Sequence, residues 1–145
     1  MKNLILAFGL ILSTQAFACP DLSGSYVDKN DESIILSQIG CEEVSILSKD
    51  ISQSLLLNNE FTLVREDKDL QAFGRGTFQD LEMVVEVKIL YKRDMGIPKI
   101  LLPVKGINKY SHTANGDLLE KSTIYNVYNG VLSNTKTTYK KSPSL

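Results

Sequence analysis

The most regular stretch of the chain is residues 81–92, in which apolar and polar side chains alternate. Successive side chains of an extended strand point to opposite faces, so this alternation predicts a long strand with one buried face. It lasts about twice the usual strand length of roughly 5–6 residues. A half-buried strand of this length needs long neighbours, which predicts a sheet large enough to curl around one face. The apolar face consists of Leu81, Met83, Val85, Val87, Ile89 and Tyr91.

Turn-forming residues divide the rest of the chain into segments that also have the composition of strands. Regular spacing of such segments is typical of antiparallel all-β domains. We therefore predict a single antiparallel up-and-down β-barrel of about 8–10 strands, formed as one domain by residues 19–145. The segments predicted as strands are residues 25–27, 33–38, 43–48, 53–57, 60–65, 70–79, 81–92, 100–112, 117–128 and 131–140.

Two Asn-Gly pairs, Asn115-Gly116 and Asn129-Gly130, bound one of these segments. Asn-Gly suits a two-residue type I′ turn, which needs positive φ angles at both residues. The pairs therefore predict two hairpin turns that join the last three strands into a meander. Each pair is followed by x-Leu, which leaves a sequence repeat as the alternative interpretation.

Proline and glycine mark irregular places in two other predicted strands. Pro103 has no backbone N–H to donate, so we expect a bulge or a sheet edge there. Gly74 and Gly76 lie within one strand, where glycines usually mark a bend or bulge. Bends of this kind allow a barrel wall to curl.

The N-terminus has the three regions of a secretory signal peptide. Lys2 supplies the positive charge, residues 4–12 form an uncharged apolar run, and an A-x-A cleavage site ends at Ala18. We predict that residues 1–18 are removed and that the mature protein is periplasmic or secreted. A membrane anchor is disfavoured because the apolar run has about half of the ~20 residues that cross a bilayer. We expect no transmembrane segment in the mature chain, because no other stretch is long and apolar enough.

The chain contains two cysteines, Cys19 and Cys41. An even number of cysteines in an exported protein predicts a disulfide. This bridge could add about 3 kcal/mol of stability by restricting the unfolded chain, and it would fix the N-terminus to the sheet. The alternative is a lipoprotein anchored at Cys19, but lipidation would leave Cys41 unpaired, and Ala16 replaces the usual aliphatic residue of lipoprotein signals.

Charge is divided unevenly along the chain. Residues 19–87 carry 5 basic and 14 acidic side chains, whereas residues 88–145 carry 10 basic and 3 acidic ones. In one antiparallel sheet, the simplest interpretation is that acidic early strands lie near basic late strands. The alternative is a basic wall that faces an anionic lipid headgroup, glycan or protein; export argues against nucleic acid. That wall would include Lys88, Lys92, Arg93, Lys99, Lys105 and Lys109.

Motifs for catalysis or metal binding are not found in the sequence. His112 is the single histidine, and its position just before a turn indicates a surface strand end. The chain has no G-x-S-x-G elbow and no CxxC or HExxH spacing. We therefore predict no enzyme activity, no metal site and no cofactor.

The last two predicted strands have no cleanly apolar face. One face of residues 117–128 carries a glutamate, a serine and an asparagine, and the less charged face of residues 131–140 carries three hydroxyl groups before Tyr139. In a tightly filled core, unsatisfied polar groups would cost about 1–3 kcal/mol each. Two interpretations follow: a hydrated cavity of ligand size, or strands that lie at a barrel end or sheet edge.

The segment Gly24-Ser25-Tyr26 resembles the G-x-W or G-x-Y motif that opens the first strand of lipocalin-like (calycin-type) barrels. In that family the aromatic residue plugs the barrel base, so the resemblance implies this role for Tyr26. It also implies a small ligand held inside the barrel. In size, export and predicted disulfide, the chain is similar to small periplasmic barrels that inhibit lysozyme.

We therefore expect a non-catalytic exported protein that binds a small apolar or amphipathic ligand in the barrel mouth. Binding would come from apolar burial, with a few hydroxyl groups setting the orientation. The alternative is a protein-binding module, such as an inhibitor of an extracytoplasmic hydrolase, with a filled core. The predicted lining residues are Tyr26, Met83, Val85, Val87, Ile89, Tyr91, Tyr125 and Tyr128.

Overall fold

Ten strands form one antiparallel sheet in the computed structural model, which describes residues 19–49 and 51–143. The prediction of an all-β, antiparallel barrel of about 8–10 strands is confirmed. The predicted signal peptide, residues 1–18, lies outside the described residues. The strands are β1 (Gly24–Val27), β2 (Ser33–Ile39), β3 (Glu43–Ser48), β4 (Ser52–Leu56), β5 (Thr62–Glu66), β6 (Leu70–Gln79), β7 (Glu82–Tyr91), β8 (Pro103–His112), β9 (Leu118–Asn126) and β10 (Val131–Lys141), with a short 3₁₀ turn at Lys99–Leu101.

The sheet closes on itself because the first and last strands are neighbours. Its order is β4-β3-β2-β1-β10-β9-β8-β7-β6-β5. All pairs of adjacent strands except β1–β10 are therefore consecutive in the chain. At the β1–β10 junction only two residue pairs form, Tyr26 with Lys141 and Val27 with Lys140. This junction converts a ten-stranded meander into a nearly closed barrel.

The second junction, between β4 and β5, is closed by side chains. These strands are the two ends of the hydrogen-bonded order, and leucines from the β4 end of the sheet pack against glycines of β6. A Cβ atom added at Gly74 would lie 2.8 Å from Leu55 Cδ2 and 3.0 Å from Val64 Cγ1. At Gly76 it would lie 2.5 Å from Leu57 Cδ2. The two glycines thus provide space for leucines from the opposite side of the junction.

Unequal strand lengths give the barrel a closed end and an open end. Strands β1–β5 have four to seven residues, whereas β6–β10 have nine to eleven. Residues 131–139 of β10 therefore extend past the point where β1 ends. The closed end carries the N-terminal segment 19–23 and the β2–β3, β6–β7 and β8–β9 turns. The open end carries the β1–β2, β3–β4, β5–β6, β7–β8 and β9–β10 connections.

The core of the barrel lies towards the closed end. Its largest buried side chains are each no more than 1 % exposed, and burial of each large apolar side chain stabilises the fold by about 1.5–3 kcal/mol. Members come from the N-terminal segment and from seven strands, so the core holds both halves of the chain together. They are Leu22, Tyr26, Leu36, Val44, Leu55, Met83, Val85, Tyr110 and Leu118.

A disulfide and one glutamine fix the N-terminal segment across the closed end. Cys19 and Cys41 are bonded with an S–S length of 2.08 Å, which confirms the predicted bridge. Gln38 Nε2 donates hydrogen bonds to the backbone carbonyls of Pro20 and Gly40, at 3.1 and 2.7 Å, and Gln38 Oε1 accepts one from Leu22 N at 3.2 Å. These contacts position Leu22, which is fully buried.

The Asn-Gly pairs form turns where predicted, but the predicted turn type is wrong. In the β8–β9 turn only Gly116 has a positive φ, and in the β9–β10 turn only Asn129 does. The β9–β10 loop is longer than a two-residue turn, and Asn126 organises it. Asn126 Oδ1 accepts hydrogen bonds from Tyr128 N at 2.9 Å and Gly130 N at 2.8 Å. These bonds satisfy loop amides that a two-residue turn would pair directly.

Other local expectations are borne out by the pairing. The register of β8 against β9 shifts between Pro103 and Lys105, which is the bulge expected at the proline. The acidic and basic halves of the chain meet within one molecule. Glu82 of β7 binds Lys121 of β9 at 2.9 Å, and Lys92 binds Glu66 at 2.7 Å.

We predict that Gly74→Ala destabilises the barrel by about 1–2 kcal/mol, because the added methyl group would overlap with buried Leu55 and with Val64. Gly106→Ala is the matched control. Gly106 lies in the same cross-strand row, and a Cβ atom there meets nothing within 4 Å. It should be neutral or stabilise by up to about 1 kcal/mol, since alanine restricts the unfolded chain. Urea unfolding measures both, and equal stability of the two variants would contradict this account of the β4–β5 junction.

Candidate functional site

A cavity of about 360 Å³ lies inside the open end of the barrel. Its volume falls within the roughly 300–1,000 Å³ typical of small-molecule sites. Apolar side chains from β5, β6 and β7 form much of its wall, and two side-chain amides, Gln53 and Asn108, add polar groups. The lining residues are Ile51, Ser52, Gln53, Val64, Arg65, Leu70, Ala72, Val87, Ile89 and Asn108.

The structure divides the apolar face of β7 between this cavity and the core. Val87 and Ile89 line the cavity, as expected for ligand-lining residues. Met83 and Val85 lie deeper, where they are 0 % and 1 % exposed and belong to the packed core. Tyr26 is fully buried at the closed end, so it does not line the cavity either.

The three remaining tyrosines of the predicted lining set also lie outside the cavity. The Tyr91 hydroxyl donates a hydrogen bond to the Pro103 carbonyl at 2.8 Å. Tyr125 is on the outer face of β9, because it alternates with inward-facing residues, and Lys105 Nζ lies 4.5 Å from its ring centroid. Tyr128 is in the β9–β10 loop and is 69 % exposed.

Several lining residues were missed by the sequence analysis. Leu70 and Ala72 follow the alternation that places Gly74 on the inner face, so the period-2 pattern contained the signal for them. Val64 is different, because the register of β5 shifts between Leu63 and Arg65. A bulge of this kind changes the phase of the alternation and leaves no clear trace in the sequence.

A carboxylate with two tyrosine partners lies on the inner face of the wall formed by β8, β9 and β10. The Tyr110 hydroxyl donates a hydrogen bond to Glu120 Oε1, and the Tyr139 hydroxyl donates one to Glu120 Oε2, both at 2.9 Å. Burial first, and the nearby Glu120 charge second, raise the pKa of both tyrosines above the usual value. Both hydroxyls therefore stay protonated and act as donors to Glu120 at neutral pH.

Asn108 connects this cluster to the cavity. It lines the cavity, and it pairs across the β8–β9 ladder with Ser122, the next inward residue after Glu120. The nearby Asn108 side chain partly offsets the rise in the pKa of the Tyr110 hydroxyl. Asn108 therefore places an amide of the cavity wall beside the Tyr110–Glu120 pair.

At the closed end, the single histidine supports the buried tyrosine of the G-x-Y segment. His112 Nε2 lies 3.1 Å from the Tyr26 hydroxyl, which also donates to the Leu22 carbonyl at 3.0 Å. The pKa of the nearby Asp21 carboxyl is lowered mainly by hydrogen bonds from Ser23, and further by the charges of His112 and Lys141. His112 is exposed at the end of β8, so the expectation of a surface strand end is confirmed.

A larger groove of about 590 Å³ also lies at the closed end, beside the disulfide. Both bridged cysteines, Leu57 and Phe78 line it, and Leu57 and Phe78 also pack against the core. Its only charged lining residue is Asp80. The open-end cavity is the better candidate for a ligand site, because it lies inside the barrel and has two side-chain amides that can orient a ligand.

Two further features bear on function. Within residues 19–49 and 51–143, no cluster of three or more His, Cys, Asp or Glu side chains could hold a metal ion. In the same part of the chain, no helix has the length and apolar character needed to cross a bilayer.

We predict that the protein loses stability as the pH rises above about 10, because the buried tyrosines lose protons more readily in the unfolded chain than in the folded one. Below pH 10 the phenols are protonated in both states, and the stability is fully present. Tyr110→Phe should reduce the loss by up to about 1.4 kcal/mol per pH unit. Urea unfolding at pH 8, 10 and 11 tests this, and an unchanged pH dependence in the variant would refute it.

Comparison with known proteins gives no relative from which a function could be carried over. No family model, no curated protein and no solved structure matches this chain. The geometry of the open end is therefore the basis for a functional assignment.

Proposed function

We propose that this chain is a non-catalytic, exported binding protein of lipocalin-like design, which holds a small amphipathic or lipid-like ligand in the open end of the barrel. The observation that carries this proposal is the cavity of about 360 Å³ inside the open end of the barrel. A barrel that served only as a rigid scaffold would be expected to fill this volume with side chains, as the core around Tyr26 and Met83 is filled.

The two sides of the interior suit an amphipathic ligand. The wall formed by β5, β6 and β7 presents aliphatic side chains such as Val64, Val87 and Ile89. The inner face of β9 and β10 presents Glu120, Ser122 and Thr137, which are only partly buried. Apolar burial would supply affinity at about 25 cal/mol per Å², and the polar wall would orient the ligand.

Export fits the same proposal. A disulfide such as that between Cys19 and Cys41 persists in oxidising compartments and is rare in the cytosol. The bridge also uses the Cys19 thiol, which a lipoprotein anchor would need. A periplasmic or secreted barrel would be positioned to bind ligands that arrive from outside the cell.

A second candidate function, binding and inhibition of an extracytoplasmic hydrolase, is favoured by the outer face of β2, β3 and β4. Exposed aliphatic side chains lie there in two cross-strand rows with a row of serines between them. Ile35 and Leu47 form one row, and Ile39 and Leu56 lie in the other. Exposed apolar groups on one face are typical of protein-binding surfaces.

For the ligand-binding function we predict that Ile89→Ala weakens binding of the neutral fluorophore N-phenyl-1-naphthylamine about fivefold. The lost apolar contact accounts for roughly 1 kcal/mol. Leu90→Ala is the matched control, because Leu90 is the next residue on β7 and faces outward with 56 % exposure. Fluorescence titration measures all three proteins. Equal effects of the two substitutions, or no saturable binding by the native protein, would exclude this cavity as the site.

The second function predicts that the native chain slows lysozyme in a cell-wall lysis assay and that Leu47→Glu removes the inhibition. A charge at Leu47 would be desolvated in any interface that covers this face. Leu90→Glu, on the other side of the barrel, should inhibit like the native chain. Absence of inhibition by the native protein would leave no support for this enzyme as the partner.

A further inference from the structure

Glu120 places a carboxylate on the inner face of the barrel, where strands seldom carry charge. Its neighbours across the ladders are Tyr110 on β8 and Thr137 on β10. Among the ion pairs in the described part of the chain, none involves Glu120. Two neutral donors therefore stabilise its charge, and no cation among the described residues forms an ion pair with it.

The carboxylate has capacity for a further partner. Each of its oxygens accepts one hydrogen bond from a tyrosine, whereas an ionised carboxylate offers about four acceptor positions. Glu120 is half-buried, so part of the residue is still exposed. The two tyrosines hold the carboxylate in one orientation, which lowers the entropy that a ligand must remove on binding.

The positive charge nearest to the cavity is already engaged elsewhere. Arg65 lines the cavity, but its guanidinium binds Asp67 at 3.0 Å and its side chain is 69 % exposed. Asp67 is held in turn by the backbone amides of Asp69 and Leu70. As far as the described residues form it, the interior therefore offers a negative group without an ion-pair partner and no comparable positive one.

We propose that the barrel selects amphiphiles with an ammonium head group. The ammonium would donate to Glu120 between the Tyr110 and Tyr139 hydroxyls, and the apolar part of the ligand would lie along Val87 and Ile89. A fatty acid would bind less well, because its carboxylate would be repelled by Glu120. This inference rests on the proposed ligand-binding function and specifies the class of ligand.

The test uses three probes with the same eight-carbon chain, octylamine, octanol and octanoate, in calorimetric titrations of the native protein at pH 7. We expect octylamine to bind about tenfold more tightly than octanol, because hydrogen bonds to charged groups are roughly twice as strong as neutral ones. Octanoate should bind most weakly. Glu120→Gln should bind octylamine and octanol equally, whereas Glu43→Gln, on the outer face of β3, should keep the native preference.

The outcomes separate this inference from the proposed function. If octanol binds but octylamine gains nothing, or if octanoate binds best, the ammonium site is wrong and the cavity function stands. If Glu120→Gln keeps the native preference, Glu120 is only a structural partner of the two tyrosines. If none of the probes binds, both proposals fail.

If Glu120→Gln does not fold, a second measurement on the native protein tests the proposal. Amide shifts in the native protein on addition of octylamine should be largest at Glu120 and Asn108, and they should be smaller with octanol. Shifts confined to the closed-end groove, for example at Leu81, would overturn the proposal.

Discussion

Closure of the ten-stranded sheet at two narrow junctions is the constraint on which the rest of the structure depends. The β1–β10 junction has two residue pairs, and the β4–β5 junction is held largely by Leu55 and Leu57 against glycines of β6. Neither junction alone has the hydrogen bonds of a full ladder. The disulfide and Gln38 therefore have a structural role beyond the N-terminus, since they hold β1 in the position that β10 needs.

The unequal strands explain why apolar side chains fill the interior at the closed end, whereas β9 and β10 present polar groups towards the open end. Short β1 covers only the last residues of β10, so the core fills the closed end, where Leu22 and Tyr26 are fully buried. Farther along β9 and β10 the inner face meets less of an opposing wall. Hydroxyl groups there are partly exposed, so they remain hydrated without the penalty of an unsatisfied buried group. Of the two interpretations of these polar strands, the structure supports the barrel end, because β9 and β10 extend past β1 to the open end and the cavity is lined by residues of β4 to β8 and by Ile51.

The strand pattern was predictable because period-2 alternation and turn residues are local properties of the sequence. The 81–92 stretch shows this best, since β7 occupies Glu82–Tyr91 with its apolar face inward. Which part of that face is core and which is cavity was not predictable, because the answer depends on the lengths of β1–β5 on the far side. The same applies to Tyr125: its strand has mixed faces, and the burial of Leu118 at its start and of Asn126 at its end shows which face is inward.

Glu120 was visible in the sequence on the same face as Leu118, yet a glutamate within a strand usually indicates the solvent side. Glu120 faces inward instead because two tyrosine hydroxyls from different strands donate hydrogen bonds to it, Tyr110 from β8 and Tyr139 from β10. The cost of removing a carboxylate from water is offset by such donors and by the remaining access to solvent at the open end. In a fully closed barrel, Glu120 would have to be neutral or be replaced by an uncharged residue. A charged group on the inner face of β9 therefore requires the short strands β1–β5, which leave one end of the barrel open.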